Sequence, residues 1–138
     1  MTYTLSTTTD ASFEETIDAV SAALKSEGFG ILSDIDVQTT LKEKLDVDVE
    51  RYRILGACNP PLAHEGLEAD PDLGALLPCN VAVYETDEGE VVVSAVDPRV
   101  LVGLTENSAL DNVASEVHER FERVLDEVSS QSTMEADQ

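Results

Sequence analysis

Two cysteines are the residues with the clearest chemical potential in this chain. Cys58 and Cys79 are each followed by an asparagine, and a proline lies within two residues of each. Thiolates act as nucleophiles, redox groups and metal ligands. Zinc in proteins is commonly bound by thiolate sulfur and by imidazole nitrogen. With His64 as a third candidate ligand, these residue types allow a thiol site or a metal-linked site.

The spacing of the cysteines argues against a structural metal. Twenty residues separate Cys58 from Cys79, there is no Cys-x-x-Cys pair, and no fourth ligand accompanies His64. A structural zinc site is closed by four ligands. We therefore predict no structural metal. The alternative to a functional site is that both thiols are small buried groups that pack at strand ends.

Four other residues complete the candidate ligand or thiol site, and each has a simpler structural role. Asn59 precedes two prolines and suits the cap of a helix, whereas Asn80 suits a hydrogen bond to the loop before its strand. His64 and Glu68 have the spacing of a surface ion pair on a helix. Arg53 has the planar fork that binds an anion, or it pairs with one of many nearby acids. The candidate site comprises Arg53, Cys58, Asn59, His64, Cys79 and Asn80, and its cofactor is unknown.

The acidity of the chain restricts its partners. The 138 residues include 29 acidic and 8 basic side chains, which gives a net charge of −21. Such a charge repels nucleic acid and anionic membranes, so we expect neither as a partner. The acids are dispersed along the chain and only three lysines are present. This pattern is typical of adaptation to a salty cytoplasm and differs from a local acidic binding site.

Composition also restricts the class of protein and its compartment. An apolar fraction of 42% is enough for one folded core, and no apolar run is long enough to span a membrane. The first residues lack the basic and apolar regions of a secretory signal. Two cysteines are too few for a disulfide scaffold, so we expect a reducing cytoplasm.

Periodic apolar residues predict the order β-α-β-α-β-α-β-β-α. A capping box at Ser12 begins the first helix, and Asp87-Glu88-Gly89 joins the last two strands in a hairpin. An apolar stripe from Leu110 to Val128 marks the final helix. We expect one α+β domain over residues 1–128, with helices on one face of a mixed or mainly antiparallel sheet, and a disordered polar tail over residues 129–138.

Whether the two cysteines meet depends on the segment between them. If residues 61–78 form a simple crossover, the flanking strands run parallel and the cysteines lie at opposite ends of the sheet. If two helical pieces go out and back, the strands run antiparallel and the cysteines come together. Asp70-Pro71 interrupts the segment and favours the second topology.

Three segments point to a known family: Gly-Ala-Cys-Asn-Pro at 56–60, Leu-Pro-Cys-Asn-Val at 77–81 and Ser-Ala-Val-Asp-Pro at 94–98. With these motifs the chain resembles the domain-of-unknown-function family 302, from its first strand to Val128. The resemblance implies small, single α+β domains that are often dimeric. It implies no activity, so no functional residue is transferred.

Three functions remain open from sequence alone. The first is a non-catalytic domain that binds a ligand or partner in a groove near residues 53–64 and 78–81. The second is a thiol-dependent redox or metal-linked enzyme that uses Cys58 or Cys79, although common enzyme motifs are missing. The third is a purely structural homo-oligomer. We expect a homodimer, because a small five-stranded sheet leaves an edge or a face to cover, and the long final helix is one candidate surface.

Overall fold

The computed structural model describes residues 2–136, and for residues 130–136 it describes the backbone alone. Its centre is a five-stranded sheet in the order β1-β5-β4-β3-β2, in which every neighbouring pair is antiparallel. The strands are β1 Thr4–Thr9, β2 Gly30–Asp36, β3 Tyr52–Cys58, β4 Cys79–Glu85 and β5 Val91–Val96. The predicted α+β class with a mainly antiparallel sheet is confirmed.

The helices follow the predicted order with one addition. They are α1 Phe13–Ser26, α2 Val37–Leu45, α3 Pro60–Ala69, α4 Pro98–Gly103 and α5 Asp111–Ala136, with short 3₁₀ segments at Pro71–Leu76 and Ser108–Leu110. The prediction missed α4, which spans only six residues and is too short to show an apolar period.

Local capping explains where most helices begin and end. The Glu15 N–H donates to Ser12 Oγ at 3.1 Å and caps α1 as predicted. Gly28, with φ +87°, takes the left-handed conformation that follows the end of α1. Asn107 caps the 3₁₀ segment Ser108–Leu110 that leads into α5, because its Oδ1 accepts from the Ala109 N–H at 3.0 Å.

The core lies between one face of the sheet and helices α1 and α5. Strand residues such as Leu55, Val81 and Val93 alternate inward and are at most 1% exposed. They pack with the predicted apolar stripe of α5, in which Phe121 contacts Phe29 at a ring separation of 5.0 Å. This packing fixes the strand ends that carry the two cysteines.

The opposite face of the sheet, here called the open face, carries the alternate residues of every strand. All of its residues except Gly56 are half-buried or exposed. Its members are Thr4, Ser6, Thr8, Gly30, Ser33, Ile35, Tyr52, Ile54, Gly56, Cys58, Asn80, Ala82, Tyr84, Val92, Ser94 and Val96.

Helix α2 lies at the surface: the exposed fraction of Leu45 is 66%, and α2 has no buried residue. The backbone of α5 continues past Val128 to Ala136. The structure does not describe the side chains of residues 130–136 or any part of residues 137–138. The predicted disorder of the tail, residues 129–138, therefore stays a prediction.

Among residues 2–136, no helix is both long and apolar enough to cross a membrane.

Candidate ligand pocket

The chain brings Cys58 and Cys79 to the same end of the sheet. Strands β3 and β4 are antiparallel, and Ala57 is the direct partner of Cys79. This register requires the connecting segment to go out and back. It does so because α3 ends before Asp70, where Pro71 cannot continue the helix and a 3₁₀ segment begins. Of the two topologies left open by the sequence, the structure has the one that brings the cysteines together.

A cavity of about 350 Å³ opens at this end of the sheet. The ends of strands β3 and β4 form one wall, while α3, the 3₁₀ segment Pro71–Leu76, α4 and α5 form the others. Both cysteines line it, together with Asn59 and apolar side chains that include Leu62, Leu73, Leu101, Val113 and Val117. The lining contains no charged residue.

Asn59 is the principal polar side chain at the pocket, and its amide has a structural task. It is 7% exposed, and its Oδ1 accepts from the Leu62 N–H at 3.2 Å. The predicted capping role is therefore confirmed. Its Nδ2 packs so closely on Gly28 that a Cβ added there would lie 2.9 Å away. Asn59 thus fixes the start of α3 against the end of α1 and holds the pocket's shape.

The two thiols differ in their surroundings. Cys79 is buried, whereas Cys58 is only half-buried, and both are free. Burial raises the pKa of the Cys79 thiol to about 11, and the nearby Cys58 adds to the rise. Because the thiolate is the nucleophile and the metal ligand, Cys79 is held in its unreactive, protonated form near neutral pH.

The other predicted site residues lie away from this cavity. His64 is 76% exposed at its side chain, and its Nε2 pairs with Glu68 Oε1 at 2.8 Å, so it forms the surface pair that its spacing indicated. Asn80 lies on the open face of the sheet. Arg53 forms a two-pronged pair with Asp34, in which its Nε donates to Oδ1 at 3.0 Å. Its guanidinium therefore serves an internal ion pair.

Metal-binding groups are sparse around the thiols. Within the described residues, no three side chains of the His, Cys, Asp or Glu type are grouped closely enough to hold a metal ion. His64 is not among the pocket-lining residues that accompany the two cysteines. That Cys58 and Cys79 hold no structural metal remains a prediction.

Comparison with known proteins agrees with this architecture. The family model described as "Domain of unknown function DUF302" matches residues 5–128. The chain belongs to the DUF302 family. A crystal structure of an uncharacterised conserved DUF302 protein from Bacillus stearothermophilus is 30% identical, covers 93% of this chain and 99% of its own, and superposes with a TM-score of 0.86. No curated protein matches the chain.

The pocket of this DUF302 chain is lined mainly by helical residues that are not among the candidate site residues predicted from the sequence. Leu73 is 4% exposed and packs in a small second core with Val102, Leu110 and Ala114. Gly66 allows this approach, because a Cβ there would lie 2.7 Å from Leu73 Cδ2. The available signal was an excess of leucines in a broken helical segment, namely Leu62, Leu67, Leu73, Leu76 and Leu77.

Alkylation should distinguish the two thiols of this DUF302 chain. At pH 8, a thiol of pKa 11 has more than about 100-fold less thiolate than free cysteine. We expect iodoacetamide to modify Cys58 first and Cys79 far more slowly, as followed by mass spectrometry of peptides. In urea the two rates should converge. Equal rates in the folded protein would contradict the burial of Cys79.

Proposed function

We propose that this DUF302 chain binds a small, uncharged and largely apolar molecule in the pocket at the end of strands β3 and β4, without catalysing a reaction. One observation carries the proposal. The walls of the pocket are apolar apart from the two thiols and Asn59, whose amide oxygen already accepts a hydrogen bond inside the protein. A volume of about 350 Å³ lies in the range of small-molecule sites.

The lining defines the chemical class of the ligand. No charged side chain lines the pocket, so a bound carboxylate, phosphate or ammonium group would lose its hydration without gaining a partner. Leu62, Leu73 and Val113 offer dispersion contacts to a hydrocarbon or an aromatic ring. The net charge of −21 further disfavours anions at the surface around the opening.

A thiol-dependent enzyme is the second candidate, and one observation favours it. Cys58 and Cys79 line the same cavity, so a bound molecule would contact both. The raised pKa of Cys79 weighs against it, because this thiol is not poised to react at neutral pH. We therefore rank passive binding first and treat thiol chemistry at Cys58 as the alternative.

A fluorescence titration with N-phenyl-1-naphthylamine tests the proposal. This neutral apolar dye brightens when it leaves water, so saturable enhancement reports binding. Ala63 lines the pocket, and Ala63→Phe should weaken binding at least tenfold by filling the cavity. The matched control is Ala69→Phe, which adds the same ring at an exposed position of the same helix. Equal binding by both variants would refute the site.

A second pair of variants distinguishes passive binding from a thiol-dependent enzyme. Under passive binding, Cys58→Ser and Cys79→Ala should bind the dye within about threefold of the unmodified protein. A thiol enzyme would instead show a stoichiometric change in free thiols when it is incubated with its substrate. Loss of dye binding in Cys58→Ser, with an unchanged melting temperature, would favour the alternative.

We also propose the cytoplasm as the compartment and a homodimer as the assembly. Two free cysteines fit a reducing environment. The homodimer rests on the sheet itself, since α1 and α5 cover only one of its faces.

A further inference from the structure

Two exposed leucines mark the opening of the pocket. Of the residues that line the cavity, Leu32, Leu67 and Gly74 are the exposed ones, so they lie where the cavity meets solvent. Leu32 is 70% exposed and Leu67 is 38% exposed. Leu32 belongs to β2 and Leu67 to α3. The opening therefore has one apolar side chain from the sheet and one from a helix.

A β-bulge places Leu32 at this opening. In the register between β2 and β3, Ile31 is opposite Ala57 and Ser33 is opposite Gly56, which leaves Leu32 as the extra residue. A bulge changes the direction of a strand side chain and is common beside binding sites. Bulges also protect edge strands, but that role does not require a large apolar residue at the extra position.

The two leucines continue the apolar surface of the pocket into solvent. A single exposed leucine is ordinary on a protein surface, whereas these two border a cavity whose lining is mainly apolar. A compact ligand that the pocket encloses would leave both side chains in water. A ligand that extends through the opening would cover them and would gain the free energy of that burial.

We propose that the ligand is a single-chain aliphatic molecule longer than the pocket, and that Leu32 and Leu67 hold the part of the chain that emerges. This assignment rests on the proposed function and names the ligand class of the same site. A cavity of about 150 Å³ holds one benzene molecule, so about 350 Å³ holds about fourteen carbon atoms. Carbon atoms beyond that number would lie against the two leucines.

The surroundings of the opening disfavour a negatively charged end group. Glu65 and Glu68 are exposed neighbours of Leu67 along α3, and the chain as a whole has a net charge of −21. A carboxylate or phosphate at the end of the aliphatic chain would meet like charges there. The end group that emerges from the pocket is therefore uncharged, as in a long-chain alcohol, aldehyde or amide.

Displacement of N-phenyl-1-naphthylamine by alkyl dimethylamine oxides tests this ligand class. The decyl, tetradecyl and octadecyl compounds carry no net charge at pH 8 and are used below the concentrations at which they form micelles. Each methylene added inside the pocket should raise the affinity about fourfold, and each one at the half-covering opening about twofold. The affinity should therefore rise from decyl to tetradecyl and again, by about tenfold, from tetradecyl to octadecyl.

Matched leucine variants locate the second rise. Leu32→Ser should remove most of the gain from tetradecyl to octadecyl and change the decyl affinity by less than about twofold. Leu104→Ser is the control, because Leu104 is 72% exposed but does not line the pocket, and it should keep both rises. If Leu32→Ser lacks the circular dichroism of the unmodified protein, Leu67→Ser replaces it. Octadecanoate should bind at least about tenfold more weakly than the octadecyl amine oxide.

The results separate this ligand class from the ligand site itself. If the dye and the decyl compound bind but the octadecyl compound gains nothing over tetradecyl, the site stands and the long-chain class is overturned. Equal octadecyl affinities of folded Leu32→Ser and Leu104→Ser would overturn it as well, and equal binding of octadecanoate would overturn the uncharged end group. If neither the dye nor any amine oxide binds, the proposed function fails and the ligand class fails with it.

Discussion

Raising KCl from 0.1 M to about 2 M should increase the melting temperature of this DUF302 chain by about 10 °C or more. The 29 acidic and 8 basic side chains leave a net charge of −21, which is more concentrated in the folded state than in the expanded chain. Salt shortens the Debye length from about 10 Å at 0.1 M to about 3 Å at 1 M. Relief of the self-repulsion should therefore stabilise the fold by several kcal/mol.

Opposing electrostatic effects are small by comparison. Exposed pairs such as Lys42–Asp46 lose only tenths of a kcal/mol each when they are screened. Thermal melts in a KCl series, followed by circular dichroism, measure the net effect of salt on the melting temperature. Mild acid at low salt should reproduce part of the gain, because it neutralises carboxylates. A melting temperature that stays flat or falls between 0.1 M and 2 M would contradict adaptation to salt and reopen the case for a local acidic site.

Truncation of Phe121 should cause the largest loss of stability among single core substitutions. Its side chain is 1% exposed and packs on Phe29 where α5 meets the rest of the core. Phe121→Ala removes this buried ring and leaves a cavity, which costs about 3–5 kcal/mol. Chemical denaturation in 2 M KCl measures the loss.

Tyr3→Ala is the matched control for this substitution. It also removes an aromatic ring, but Tyr3 is 69% exposed, so its loss should cost less than about 0.5 kcal/mol. If the two variants unfold at the same denaturant concentration, the position of α5 against the sheet is incorrect.

The strand connections could be predicted in part, because single residues favour one topology over another. Asp70-Pro71 breaks the helical segment, which sends the chain back and makes β3 and β4 antiparallel. Gly89, with φ +90°, suits the turn between β4 and β5. Local residues that break helices and form turns therefore favoured the topology that brings Cys58 and Cys79 together.

The pocket could not be predicted, because it depends on how several elements pack together. Leu73 and Val113 are far apart in sequence and line one cavity only after α3, α4 and α5 are placed. Sequence periodicity shows which face of a helix or strand is apolar, but it does not show which other element that face contacts. The partner of Arg53 could not be predicted either, because only the register between β2 and β3 places Asp34 next to Arg53.

The pocket and the open face are separate features. The pocket lies at the ends of β3 and β4 beneath the helices, whereas the open face lies on the side of the sheet away from α1 and α5. A dimer through the sheet would leave the helices that surround the pocket on the outside. We therefore expect dye binding to be the same in the monomer and in the dimer.

Methyl NMR of alanine-labelled protein during titration with N-phenyl-1-naphthylamine tests the central claim most directly. Ala57, Ala63 and Ala114 line the pocket, whereas Ala69 and Ala75 are exposed elsewhere. We predict that the dye shifts the three pocket methyl signals in a saturable way and leaves those of Ala69 and Ala75 in place. Unchanged pocket signals at saturating dye, or shifts confined to Ala82 on the open face, would contradict the ligand pocket.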